Sequence, residues 1–257
     1  MTWLSSSNPH WGPPQAGDDA PPGALFAPAA ARNVTAVCDA VRSVLAGAEG
    51  TALEIGSGTG QHICALAHAL PALTWLPSDP APEHRVSIAA WSRQVGAANL
   101  RAPIALDAAA PPPWPLTSLG LASFGSASDD LANQGVAHAA PDDAAATSAQ
   151  LSVIYCANVI HISPPTVLAG ILAGAGHHLA QGGRLIFYGP FARDGAHTAP
   201  SNAAFDTALR ARDPQWGVRD LTDVISAAAG HGLEPDDVID MPANNLLVVL
   251  HRRETRA

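Results

Sequence analysis

The sequence of 257 residues contains no lysine; all of its 13 Lys and Arg residues are arginine. That absence removes a lysine Schiff base and a lysine general base from the chemistry open to the chain. Charge of either sign is scarce, at 14% of residues, and the formal net charge is −9. The arginines form no stripe, and the densest group is Arg252, Arg253 and Arg256. Non-specific nucleic-acid binding needs concentrated positive charge to displace counterions, so a nucleic-acid partner is not expected. Cys38, Cys64 and Cys156 are widely spaced among apolar neighbours, with no C-x-x-C or Cys/His pattern. Reduced, buried thiols are expected instead of a disulfide framework or a zinc site, and no metal is implied. No apolar run reaches the ~18 residues a membrane span requires. No long apolar run precedes the first basic residue, Arg32, so no secretory signal is expected and a cytoplasmic location is.

Hydrophobic residues make up 47% of the chain, enough for a sizeable α/β core. Residues 1–24, rich in Ser, Pro, Gly and Asp, read as a disordered leader. Residues 117–150 are mostly Ala, Ser, Gly and Asp and carry no arginine. With so few large apolar side chains, they read as a flexible insertion in one domain spanning 25–257. Elsewhere strands alternate with helices. Helices are expected at 29–45, 61–70, 83–95 and 164–179, and after Arg219, ending at Gly230 or Gly232. Strands are expected at 51–55, 73–78, a short one ending at Asp107, then 151–157, 184–188, 237–241 and 246–251. Such alternation predicts a mostly parallel seven-stranded sheet with helices on both faces, a Rossmann-like fold. The turn between the last two strands is too short for a crossover helix, so they should form an antiparallel C-terminal edge hairpin.

The stretch Glu54-Ile55-Gly56-Ser57-Gly58-Thr59-Gly60 follows a strand and opens a helix, the context in which a glycine turn cradles a ligand. Dinucleotide enzymes favour G-x-G-x-x-G, but here position 61 is Gln and the third glycine comes one residue early. An acid followed by G-x-G-x-G is instead the pattern of S-adenosylmethionine enzymes. That cofactor is a zwitterionic amino acid carrying a sulfonium, with no pyrophosphate. Glu54 can complement its ammonium while amides of Gly56, Ser57, Gly58, Thr59 and Gly60 take its carboxylate. Asp79, at the end of the second strand, is placed to accept ribose hydroxyls. Asp107, at the end of the third, is placed for the adenine amino group.

With those residues in place the chain resembles the methyltransferase-like 26 family, a domain of unknown function with a class I methyltransferase fold. The resemblance spans about residues 26–253 apart from the insertion. It rests on Phe26-Ala27-Pro28-Ala29-Ala30-Ala31-Arg32-Asn33, residues 54–62 and Thr74-Trp75-Leu76-Pro77-Ser78-Asp79. It continues through Asn158-Val159-Ile160-His161-Ile162-Ser163-Pro164, Tyr188-Gly189-Pro190-Phe191, residues 193–206 and Met241-Pro242-Ala243-Asn244-Asn245. Ala31 stands where the family carries an acid, and the 117–150 insertion has no counterpart in shorter members. The resemblance implies an S-adenosylmethionine-dependent methyltransferase and adds Asn158, Arg32 and Asn33 to the cofactor contacts.

Methyl transfer chiefly requires alignment and exclusion of water, with a general base only where the nucleophile arrives protonated. His161, a few residues past the fourth strand, fits either a base or a structural histidine. Tyr188, ending the fifth strand, fits either a group that orients substrate or a core aromatic. The polar run Arg193, Asp194, His197, Thr198, Ser201, Asn202 suggests a substrate lid, although Ser201 also suits a helix cap. Asn244 suits either substrate contact or a turn. A small-molecule methyl acceptor is therefore the leading expectation. A cofactor-binding partner protein without catalysis, or a methyltransferase of RNA or protein, are the alternatives; a nicotinamide-dependent dehydrogenase is disfavoured by the glycine spacing.

Overall fold

The computed structural model describes residues 20–116 and 150–254. The readings for the leader and the insertion therefore fall almost wholly outside the described residues. Residues 20–24 do not: Ala20 and Ala24 pack on the core, and Ala24 N–H donates to the Pro21 carbonyl at 2.9 Å.

The chain runs α1 (Pro28–Val44), β1 (Gly50–Ile55), α2 (Gln61–Ala69), β2 (Leu73–Ser78), α3 (Pro82–Val95), β3 (Leu151–Ala157), α4 (Pro165–His178) and β4 (Leu179–Gly189). There follow β5 (Phe191–Arg193), β6 (Ala196–His197), α5 (Pro200–Arg212), β7 (Arg219–Asp220), α6 (Leu221–Ala229), β8 (Leu233–Met241) and β9 (Asn245–Arg252). Four of the described helices carry proline in their first turn (Pro28, Pro82, Pro165 and Pro200), where its missing N–H costs nothing and its fixed φ suits the helix. α1 buries Val34, Val37 and Val41, an i, i+3, i+7 stripe. β3 is nearly all apolar and buried, and β1 is buried from Ala52 to Ile55, as expected of strands covered on both faces.

The main sheet has six strands in the order β2-β1-β3-β4-β9-β8. β2, β1, β3 and β4 are mutually parallel, while β9 is antiparallel to both β4 and β8. The expected third strand, ending at Asp107, is not one: that segment meets β2 only at isolated bridges, Trp75 with Leu100 and Ser78 with Ile104. Pro103 lacks the N–H that would extend the ladder, and Pro111, Pro112 and Pro113 follow closely. The described sheet thus has six strands where seven were expected. A second sheet of three short strands, β6-β5-β7, occupies part of the stretch read as a lid.

This topology sets the site. The four parallel strands end at one edge, where the loops after β1, β2, β3 and β4 emerge. Because β9 runs the other way, with Leu246 opposite Gly189, its first residues lie at the same edge. At the opposite edge Asn99 fixes the start of β2: its Nδ2 donates to the carbonyls of Ala67, Leu70 and Leu73 at 2.9–3.2 Å. The first two belong to the C-terminal turn of α2, whose carbonyls have no partner within the helix. Asn99→Ala should therefore destabilise the fold by about 1–3 kcal/mol, read as a lower urea midpoint at unchanged slope.

Candidate functional site

The turn from β1 into α2 passes through three left-handed glycines, Gly56 (φ 65°), Gly58 (φ 55°) and Gly60 (φ 92°). Two of them are also required sterically. A Cβ at Gly56 would lie 2.5 Å from Val159 Cγ2, and one at Gly60 would lie 2.9 Å from Ile88 Cα. Gly58 differs: the space beside it holds nothing nearer than its own loop's Gly56 carbonyl at 4.0 Å. The loop is thus packed from below at its two ends and open at its middle.

Asp79 buttresses it. This carboxylate is 4% exposed, accepting from Gly58 N–H at 2.9 Å, from Ala81 N–H at 2.9 Å, and lying 3.0 Å from His84 Nδ1. Ser57 ties the loop to the same strand end: its Oγ accepts from Ser78 N–H, and its own N–H donates to the Ser78 carbonyl. Gly60 N–H donates to the Ser57 carbonyl. The amides of Ser57, Gly58 and Gly60 are therefore already engaged. This narrows the expectation that the whole loop offers its N–H groups to a ligand carboxylate.

Two buried groups beside the loop are unsatisfied among the described residues. Glu54, 2% exposed, has an Oε2 without a hydrogen-bond partner, and burial pushes its carboxyl up to about 8, with Asp79 adding to the rise against a Ser57 hydrogen bond. Gln61, 4% exposed, accepts from Ala27 N–H and Thr59 Oγ at its Oε1, leaving its buried Nε2 without a partner. One loop is thus flanked by an acceptor and a donor, each costing about 1–3 kcal/mol while unpaired. A zwitterionic amino-acid group has the complementary pair. Gln61 was read from the sequence only as a break in the dinucleotide pattern; no motif marks its amide as a site group.

Behind the loop lies a hydrogen-bonded chain across four elements. His62 Nε2 lies 2.8 Å from Asn33 Oδ1, and burial lowers this imidazole to about 4, so it is neutral at pH 7. Asn33 Nδ2 donates to Tyr188 Oη at 3.2 Å, as does Asn245 Nδ2 at 3.1 Å. With both lone pairs accepting, the Tyr188 proton is left to donate. Arg32, one position from Asn33, is exposed on α1. Asn158 begins the turn after β3 in a left-handed conformation (φ 62°), its N–H donating to the Tyr188 carbonyl.

Asn245 connects this chain to a cavity of about 340 Å³. Arg193 and Asp240 stand on its wall, 3.4 Å apart and exposed, with Thr198, Asn244 and Asn245; Met241 and Leu246 supply apolar surface. Of the expected substrate residues, Arg193 and Asn244 line the cavity. Ser201 stands behind, accepting from Asn244 Nδ2 at 3.2 Å.

Several expectations are corrected. His161 is not an accessible base: it is fully buried, its Nδ1 accepts from Arg219 N–H at 3.3 Å, and its ring meets Phe191 edge-on. Burial, with Arg219 beside it, lowers it to about 3, which leaves it neutral and structural. Asn202 does not face substrate, because its buried Nδ2 donates to Thr198 Oγ and to the Asn244 carbonyl, latching α5 to the β8–β9 turn. His197 turns from the cavity toward Asp206, at 3.7 Å. Asp107 is exposed and closes a tight turn, its Oδ1 accepting from Ala109 N–H, where a strand-end acid was expected. The N-cap of α5 is Ala199, so Ser201 is no cap. The thiols of Cys38 and Cys64 are pushed up to about 12 by burial, as inert cysteines are.

Two glycine substitutions separate ligand approach from packing. Gly58→Ala should fold with a backbone cost of about 1–2 kcal/mol for its left-handed φ, yet obstruct the open face of the loop. Gly60→Ala adds a clash with the α3 backbone and should lose distinctly more stability, seen by thermal melting of both variants side by side. Glu54 gives a pH test. Its folded carboxyl titrates near 8 against an ordinary 4.5, so the native state holds the extra proton between these values. Stability of the unliganded protein should fall as pH rises from about 4.5 to about 8 and level off above, and Glu54→Gln should flatten that slope.

The fold is similar to an O-methyltransferase family 2 protein from Planctomyces limnophilus DSM 3776, solved with apigenin (TM-score 0.61, 19% identity, covering 87% of this chain and 57% of that one). It is also similar to an O-methyltransferase family protein from Burkholderia thailandensis (TM-score 0.63, 12% identity, 86% and 57% covered). A third similar structure is CalO1, a methyltransferase of calicheamicin biosynthesis in an SAH-bound form (TM-score 0.58, 14% identity, 85% and 54% covered). The chain spans little more than half the length of these proteins. Among the described residues no helix is long and apolar enough to cross a membrane, and no group of His, Cys, Asp and Glu is arranged to hold a metal ion. The family described as a protein of unknown function, DUF938, matches residues 24–252, and with a sheet of the class I methyltransferase type around its glycine loop the chain belongs to that family.

Proposed function

We propose that this chain is an S-adenosylmethionine-dependent methyltransferase acting on a small molecule. The observation that carries the reading is the pair of unsatisfied buried groups at the glycine loop, Glu54 Oε2 and Gln61 Nε2. Orphaned polar atoms of opposite type are expensive in an interior and are retained where a ligand completes them. Glu54 receives the ammonium of the amino-acid end and Gln61 its carboxylate. Gly58 presents backbone without a Cβ to the sugar side. Asp79 keeps a lone pair on Oδ2, which among the described residues accepts only from Gly58 N–H, and holds a ribose hydroxyl with it. Asn33 and Asn158 are further cofactor contacts in this reading, as the resemblance to the methyltransferase-like 26 family implies.

When bound, the cofactor supplies a methyl group activated by its sulfonium. The chain's own residues bind, orient and exclude water. Tyr188, its oxygen accepting from two asparagine amides, is left with a proton to donate and orients an acceptor atom through that bond. His161 takes no part in proton transfer. The cavity beside Asn245 is compact, which favours a small acceptor over a macromolecule.

Titration calorimetry with S-adenosylhomocysteine tests the reading. Below pH 8 Glu54 is protonated in the free protein, so pairing with an ammonium should release a proton. Heats measured at pH 7 in buffers of different ionisation enthalpy should show that release. Glu54→Gln should abolish it and weaken binding by about tenfold or more, the worth of a charge-assisted hydrogen bond. Absence of binding by either S-adenosylmethionine or S-adenosylhomocysteine at millimolar concentration would overturn the proposal.

A further inference from the structure

The cavity beyond Asn245 has walls that say what it accepts. One wall is the β5–β6 turn, with Asp194 (φ 53°) and Gly195 (φ 77°) in left-handed backbone, presenting Arg193. The opposite wall is the β8–β9 turn, where two consecutive non-glycine residues, Ala243 (φ 59°) and Asn244 (φ 58°), are left-handed. Such backbone costs about 1–2 kcal/mol per residue and persists only where its surroundings hold it. α5 does the holding: Asn202 Nδ2 donates to the Asn244 carbonyl at 2.9 Å, and Ser201 Oγ accepts from Asn244 Nδ2. Strained backbone is thus fixed where it frames an open space.

The polar groups facing that space divide by charge. Arg193 supplies the cationic group, and its pairing with Asp240 is loose, 3.4 Å long with side chains 47% and 90% exposed. Exposed pairs of this kind are worth little, so Arg193 is free to exchange Asp240 for a ligand anion in planar, bidentate geometry. The amide nitrogens of Asn244 and Asn245 are committed to Ser201, Tyr188 and the Pro242 carbonyl. Among the described residues neither amide oxygen takes a hydrogen bond, so each is available to accept from a ligand O–H or N–H. Met241 and Leu246 offer an apolar surface between the two ends. At about 340 Å³ the space lies near the lower end of ligand pockets, roughly 300–1,000 Å³.

We propose that this cavity is the acceptor subsite and that it takes a compact hydroxy-carboxylate, its carboxylate on Arg193 and its hydroxyl donating to the Asn244–Asn245 amide oxygens, with an apolar body on Met241 and Leu246. The assignment of the subsite to methyl transfer rests on the function proposed above; the ligand class rests on the cavity alone. The hydroxyl is the group brought toward Tyr188, since Asn245 contacts both; on transfer the C–S bond of the sulfonium breaks as the ether C–O bond forms, and the hydroxyl proton leaves to water at the open wall beside the exposed Asp240.

Three related probes test it: 4-hydroxybenzoate, its isostere 4-hydroxybenzamide, and benzoate, which lacks the hydroxyl, their affinities measured by ligand-observed NMR on the full chain with and without S-adenosylhomocysteine. The first should bind tightest. Loss of the charge, or of the hydroxyl, should each weaken binding by about tenfold. Arg193→Met should erase the preference for the acid over the amide, and Arg193→Lys should keep part of it, while both leave the affinity for S-adenosylhomocysteine unchanged. Arg193 is exposed, so neither variant threatens folding. Equal binding of acid and amide, or an acid preference that survives Arg193→Met, overturns the assignment even if S-adenosylhomocysteine binds. The expected preferences in a protein that binds no S-adenosylhomocysteine would uphold the ligand class and remove its link to methyl transfer.

Discussion

The carboxylate of Asp79 is the contact on which the rest of the site depends. It sits buried at the end of β2 and must be satisfied, and the groups that satisfy it are the Gly58 amide, the Ala81 amide and His84. One anion thereby fixes the open middle of the glycine loop to the neighbouring strand. Gly56 and Gly60 fix its ends against Val159 and Ile88. The loop is held at three points by elements that converge only in the folded sheet, and Glu54 and Gln61 flank it on those same elements.

The second half of the site is built from polar residues that hold other polar residues. The His62–Asn33–Tyr188–Asn245 chain links α2, α1, β4 and β9 and leads from the loop to the cavity. α5 turns Asn202, Asp206 and Leu209 inward along one face. Asn202 latches the β8–β9 turn, while Asp206 accepts from Arg210 and from Val218 N–H. What resembled a substrate lid in the sequence is, around His197 and Asn202, the scaffold of the cavity wall. The polar composition of residues 193–206 was informative, but mostly about buried hydrogen bonding.

His161 shows the same ambiguity from another side. A histidine just past a strand of the sheet edge satisfies the sequence criteria for a base. In the fold it lies under Gly189, a residue whose Cβ would approach His161 Nε2 to 2.7 Å, and its carbonyl and Nδ1 hold the Gly217–Arg219 segment. Burial, a property of the assembled layers, converts a group of suitable pKa into one that does not protonate in the working range.

Sequence alone determined the helices and the apolar strands, through periodicity and through prolines and glycines at their ends. It also located the glycine loop with Glu54 and Asp79, because these depend on spacing within one βαβ unit and the backbone demands are local. Tertiary structure decided the rest. The segment before Asp107 stayed outside the sheet because Pro103 interrupts its ladder with β2. Gln61 and Asn245 became site residues, and His161, His197 and Asn202 became structural ones. Those outcomes turn on which side chains are buried together and which polar atoms find partners, and contacts between residues more than a hundred positions apart, such as Asn33 with Tyr188, leave no local pattern to read.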